Sequence, residues 1–205
     1  MPARKEPTDF GRAVGQIVGK LVERKITRVL RKYPIVPHEK WRNRYNLRHE
    51  IDYVIGTRET PIILLETRWL KYTKHARENA GHIASFLNGV RDSHKTVQEC
   101  VAVLAGSWTR DSLRVLENTN VKVFHFPFDI VSRNLARYDI VIDWAEDDKE
   151  TSMHTWRKLN SLSEKKIDSL ADAIFEGTDI VERLEKMIER VLREWQDKSR
   201  WSFFK

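Results

Sequence analysis

A chain of 205 residues and 24.3 kDa can bury roughly 70% of its unfolded surface, enough for a full core without covalent staples. It is 40% hydrophobic and 33% charged, with 37 Lys and Arg against 30 Asp and Glu, which argues against disordered, collagen-like and membrane-spanning classes. The lone cysteine, Cys100, has no internal partner, no Cys-x-x-Cys pair offers a zinc site, and Met1–Asp9 has no apolar signal core, so the expected setting is cytoplasmic with no membrane partner.

Taken in chain order, Val14, Val18, Leu21, Val22, Ile26, Val29 and Leu30 recur at three and four, predicting an amphipathic helix over Phe10–Leu30. Gly11, Gly15 and Gly19 lie along it at four-residue spacing and predict close packing on a sheet or close approach to a ligand backbone. Pro34 and Pro37 end the helix, and Pro34–Arg48 reads as a loop. Glu50–Ile55 and Pro61–Thr67 are rich in Ile, Val and Leu and flank a glycine-containing loop, the pattern of two antiparallel strands. A helix over His75–Val90 follows, with Thr73 as expected N-cap. Val101–Gly106 and Val121–Phe126 read as further strands around a short helix at Ser112–Glu117. Strands alternating with helices predict an α/β fold: a three-layer α/β/α core with a mixed central sheet, occupying residues 1–150.

Beyond an acidic connector holding Asp143, Glu146, Asp147, Asp148 and Glu150, residues 151–205 read as a helical extension. Ser161-x-x-Glu164 has the form of a capping box, and Gly177 closes that helix. The last helix carries a stripe from Ile180 to Trp195, which either packs on the core in cis or joins two chains as a homodimer.

The net charge of +7 is uneven, since residues 1–95 hold 20 basic and 10 acidic side chains while residues 96–205 hold 17 and 20. Within the basic half, Lys20–Arg48 concentrates Arg24, Arg28, Arg42, Arg44 and Arg48, with Tyr33, Trp41 and Tyr45 interleaved. Cations that displace counterions from phosphates, beside aromatic faces, outline a nucleic-acid contact, to which Lys74 and Arg77 on the next basic helix are added. The plainer alternative is a solvated basic face.

Within the predicted hairpin, a loop centred near Glu59 sets Asp52 opposite Glu66. Directly paired residues have Cβ atoms roughly 4.5 to 5.5 Å apart, close enough for two carboxylates to grip one divalent cation. Without a cation, two like charges facing each other weaken a hairpin. Glu50 lies two residues before Asp52 on the same strand, and Glu23 lies in the first helix among Leu21, Val22 and Ile26.

The run Glu50-Ile-Asp-Tyr-Val-Ile, a turn, Pro61-Ile-Ile-Leu-Leu-Glu-Thr-Arg68 and a basic helix resembles the PD-(D/E)XK nuclease superfamily, the restriction-endonuclease-like fold. The resemblance implies Mg²⁺ held at the scissile phosphate by Asp52 and Glu66, joined by the carbonyl of Thr67. Many members of that family add a ligand from the first helix, a place that Glu23 fits loosely; its other reading is an ion pair with Arg24 or a helix neighbour. The sequence departs from the family at Glu66-Thr67-Arg68, where a lysine is expected in the third place. Arginine can neutralise a developing phosphorane but is a poor proton acceptor, so Arg68 is expected as electrostatic stabiliser with Lys71 as a second candidate. The implied activity is Mg²⁺-dependent hydrolysis of double-stranded DNA, with a dimeric type II restriction endonuclease as the favoured subtype. The alternatives are a non-catalytic DNA-binding module and a structure-selective repair or junction nuclease.

Overall fold

The seven apolar positions of the first predicted helix are all buried in the computed structural model, which describes residues 7–43 and 46–202, and they form α1 (Phe10–Leu30). Asp9 caps it, its carboxylate accepting from the Arg12 N–H at 2.8 Å. One sheet follows in the order β1 (Ile35–Arg42), β2 (Arg48–Gly56), β3 (Pro61–Leu70), β4 (Glu99–Gly106), β5 (Val121–Pro127). The first three strands pair antiparallel and the last three parallel, so the sheet is mixed as expected. Strand β1 is a correction to the sequence reading, in which Pro34 and Pro37 marked a loop. Pro37 is tolerated because β1 is an edge strand, where a missing N–H breaks no second ladder.

Helices cover both faces. On one lie α2 (Ala76–Ser93) and α3 (Arg110–Asn118), burying Ala80, Ile83, Leu87 and Leu116 against Val54, Leu64, Ala102 and Leu104. On the other lie α1, α4 (Phe128–Ala136), α5 (Lys149–Asn160), α6 (Glu164–Ala173) and α7 (Ile180–Ser202), packed over Tyr53, Leu65, Val103 and Phe126. The fold is α/β with three layers. The helical extension shares the core of α1 and the sheet, through Trp156, Leu170, Ile174, Leu184 and Ile188. Ile180, Leu184, Met187, Ile188 and Val191 are all buried, so the apolar stripe of α7 is covered within its own chain rather than left for a second copy. No helix among the described residues is long and apolar enough to cross a membrane.

Local signals misplaced two caps and missed one helix. Thr73 opens a 3-10 turn, Thr73–His75, and its side chain caps nothing. Ser161 ends α5, while Ser163 caps α6 by accepting from the Lys166 N–H. Helix α4 follows β5 directly, with Pro127 as its N-cap, a position whose fixed φ leads into a helix without any polar cap to advertise it.

Candidate active site at the fork between β2 and β3

The register of β2 on β3 runs Ile55–Ile63, Val54–Leu64 and Tyr53–Leu65, and its continuation sets Asp52 opposite Glu66. Regular pairing of the two strands stops there. Residues Arg48 to Ile51 remain paired with β1 but have left β3, so Asp52 and Glu66 stand at the point where the sheet forks. The backbone is distorted at the same level: His38, across from Asp52 on β1, takes a left-handed φ of 50°. Ile51 consequently packs on the α2 side with Val54, whereas an unbroken pleat would send it to the side of Tyr53.

Oδ2 of Asp52 accepts two hydrogen bonds from Thr67, at 2.7 Å from its N–H and at 2.7 Å from its hydroxyl. Glu66 is only 3% exposed, and its Oε1 is a buried oxygen without a hydrogen-bond partner. Burial, with the nearby Asp52 charge adding to it, pushes the Glu66 carboxyl up to about 8, against the lowering influence of Arg68. His49 Nε2 lies 3.8 Å from that oxygen, and the His49 ring stacks on Phe86 of α2, so the departing arm of β2 closes over Glu66. Burial first, and Arg68 second, hold the His49 ring down to about 4, which keeps it neutral. Sequence reasoning passed over His38 and His49, because only the fork brings them to the acids.

The other candidate residues divide. Asp52, Thr67, Arg68, Lys71 and Glu23 line a cleft of about 1610 Å³ between α1 and the end of β3, whereas Glu66 does not reach its wall. Arg68 is exposed, and among the described residues no acid stands within ion-pair distance of it. Lys71 turns from the acids toward the connector, donating to the Trp144 carbonyl at 3.2 Å and lying over the Trp144 ring. Burial lowers its ammonium to about 8, with Asp143, Asp148 and Glu146 opposing.

Glu23 pairs with neither Arg24 nor the other two acids. Its Oε1 meets His38 Nε2 at 2.9 Å, and His38 Nδ1 lies 3.7 Å from Glu50. Glu23 is occupied by His38, and Thr67 presents donors, its N–H and hydroxyl, to Asp52. Among the described residues no three His, Cys, Asp or Glu side chains gather where one ion could sit. Asp52 and Glu66 still suit Mg²⁺, which commonly takes one or two carboxylates and fills its octahedron with water and substrate phosphate. The unpartnered buried Oε1 of Glu66 is the specific feature a cation would satisfy.

Two of the residues expected at a DNA contact are engaged within the chain. Arg24 bonds Asp168 at 2.7 Å and Glu164 at 2.9 Å, and Arg28 reaches Asp172 at 3.2 Å. Lys25 and Lys32 are likewise bound, to Asp172 and Glu185. The acidic excess of the second half thus neutralises part of the basic first half inside the molecule. Lys74 is paired with Glu146, and Arg42 donates to the Asn46 side chain. Arg48 and Arg77 are exposed, and Arg44 lies outside the described residues.

Neither protein-family models nor curated proteins give a match to this chain. Among solved structures, a crystal structure of a protein of unknown function, AF1548, is similar with a TM-score of 0.40 and 9% identity, over 79% of this chain and 98% of that one. So slight a likeness bears on neither fold nor function.

Proposed function

We propose that this protein is a Mg²⁺-dependent DNA endonuclease in which Asp52 and Glu66 hold the ion beside a scissile phosphate. The observation that carries the reading is the pair of acids at the fork: Asp52 is anchored by Thr67, and its charge adds to burial in raising Glu66, whose buried Oε1 has no partner. A cation there would let Glu66 give up its proton beside the charged Asp52. The ion would supply Lewis acidity and a water acidified toward neutrality.

The remaining work falls to the chain. Thr67 fixes the direction of Asp52. Arg68, which has no acidic partner among the described residues, can neutralise the negative charge that develops on phosphorus-bound oxygens during attack. The closed arm carrying His49 keeps bulk water from Glu66. Supercoiled plasmid incubated with Mg²⁺ tests the reading: the protein should nick or cut it, and Asp52→Ala and Glu66→Ala should abolish cutting while DNA binding survives. Unchanged cutting by both variants removes the assignment.

The subtype is read from the products. Discrete bands indicate a restriction endonuclease, whose paired cuts call for a twofold dimer through a surface other than the buried stripe of α7; sedimentation measures that directly. Preference for branched substrates indicates a junction or repair enzyme. A second reading, a DNA-binding module without catalysis, is favoured by one observation: Glu66 is 3% exposed and stands behind the cleft wall. A protein that retards DNA and never cuts it at any Mg²⁺ concentration fits that reading alone.

A further inference from the structure

The cleft beside Asp52 is lined on one side by a stripe of α1 that recurs every four residues, Arg12, Gln16 and Lys20. The same stripe continues as Arg24 and Arg28, where the acids of α6 cover it. Arg12 and Lys20 lie beyond that cover. Both are exposed, and among the described residues neither has an acidic partner; Arg68 faces the same space on the same terms. Two acids of the lining are already matched, Glu23 by His38 and Glu146 by Lys74. The lining also holds Asp9, which caps α1, Asp52, which accepts from Thr67, and Glu150, so Arg12, Lys20 and Arg68 leave the cleft a small positive excess.

Aromatic side chains line the cleft as well. Tyr72 is half-buried just past the end of β3 with the Lys71 and Lys74 ammonium groups near its ring, and Phe10 contributes a partly exposed ring from the start of α1 itself. Cationic and aromatic side chains lining one groove are the combination that tracks a phosphate backbone while bases stack. The cleft, about 1610 Å³, is small beside a double helix, whose major groove alone is about 12 Å wide.

The geometry points to this cleft as a binding channel for a single DNA strand, leading past Asp52. The inference rests on the nucleic-acid reading above and narrows its substrate to DNA that is unpaired, frayed or opened at the point of attack. Arg12, Lys20 and Arg68 meet successive phosphates, and Tyr72 supplies the stacking face.

Binding measured without metal separates this inference from the nuclease reading. Fluorescence anisotropy of the full chain in EDTA compares a labelled oligothymidylate with a blunt hairpin duplex carrying the same number of phosphates. The strand should bind about tenfold tighter than the duplex, and Tyr72→Ala should weaken strand binding about tenfold. Lys20→Ala should weaken it too and reduce the slope of log affinity against log salt by about 0.7. Thermal melts of both surface variants verify that they fold. Equal or tighter binding of the duplex, or strand binding unchanged in both variants, overturns the inference. A protein that prefers the strand yet never cuts with Mg²⁺ loses only the nuclease reading, and one that cuts plasmid without preferring the strand loses only this one.

Discussion

Thr67 holds Asp52 by two hydrogen bonds to a single oxygen, 2.7 Å from the backbone N–H and 2.7 Å from the hydroxyl. Oδ1 carries no hydrogen bond among the described residues, so the carboxylate is aimed with one oxygen anchored and the other available. Thr67→Val keeps the shape and the N–H but removes the hydroxyl donor. Stability should fall by about 1 kcal/mol, the usual net worth of one hydrogen bond. Cleavage should fall by about tenfold or more, because a freed carboxylate samples directions that no longer serve an ion. Thr67→Ser should recover most of the rate. Initial rates of plasmid nicking measure this, and equal rates in the Val variant remove Thr67 from the site.

Glu66 ties stability to pH. Its carboxyl is pushed up to about 8 by burial and then by Asp52, from an ordinary value of 4.5. Between those values the folded chain retains a proton that the unfolded chain has released, so the contribution of Glu66 is most favourable below about pH 4.5 and declines as pH rises toward 8. Glu66→Gln preserves the shape and abolishes that dependence. Its melting temperature should match the wild type in mild acid and exceed it above pH 8, by on the order of 2 kcal/mol or roughly 5 °C. Mg²⁺ should raise the wild-type melting temperature at pH 8 and leave that of Glu66→Gln unmoved. An identical pH profile in the two proteins dismisses the buried-carboxyl account.

The two acids were legible because strand alternation and loop length fix a register without any knowledge of the fold. The register found, Tyr53 on Leu65, centres the hairpin at Glu59 as the spacing requires. The fork was not legible. It arises where His38 adopts a left-handed φ and Ile51 changes faces, and no local pattern in Pro34–Arg48 announces either, since its prolines imitate a loop. Charge misled for a related reason. A block of Arg and Lys in sequence looks like a surface for phosphate until the fold shows which acids it meets. Glu164, Asp168 and Asp172 recur every four residues on α6 and align with Arg24, Lys25 and Arg28, more than a hundred residues earlier. Arg12 and Lys20 have no acidic partner among the described residues.

That internal match makes its own prediction. Asp168 is held below the ordinary carboxylate range, chiefly by its bond to Arg24, so its contribution is present at neutral pH and lost as acid protonates it. The double variant Asp168→Asn with Asp172→Asn should melt at a lower temperature in low salt, and the difference should shrink in 1 M salt, where screening reaches about 3 Å. The same variant uncovers Arg24 and Arg28 and should bind DNA more tightly at low salt. Melting curves and anisotropy across a salt series check both effects. A deficit that persists undiminished in high salt indicates lost packing rather than lost charge.

Gly106 closes β4 beside the cleft, and its conformation admits no side chain. At φ +96° a Cβ would stand 1.9 Å from the Leu70 carbonyl oxygen and 2.9 Å from the Trp69 ring. That carbonyl is already engaged by the Ser107 N–H at 2.7 Å, so neither partner can move without breaking the link between β3 and the loop after β4. Gly106→Ala should cost about 3 kcal/mol or more, roughly 10 °C in a chain of this length. It should also disturb Trp69, and with it the wall of the cleft. Gly81 gives the contrast: it lies inside α2 with nothing within 4 Å of where its Cβ would stand. Gly81→Ala should stabilise the protein by about 0.5 to 1 kcal/mol through helix propensity alone. Thermal or urea unfolding of the two variants side by side measures the difference, and a Gly106→Ala protein as stable as the wild type contradicts the close approach of β4 to Leu70.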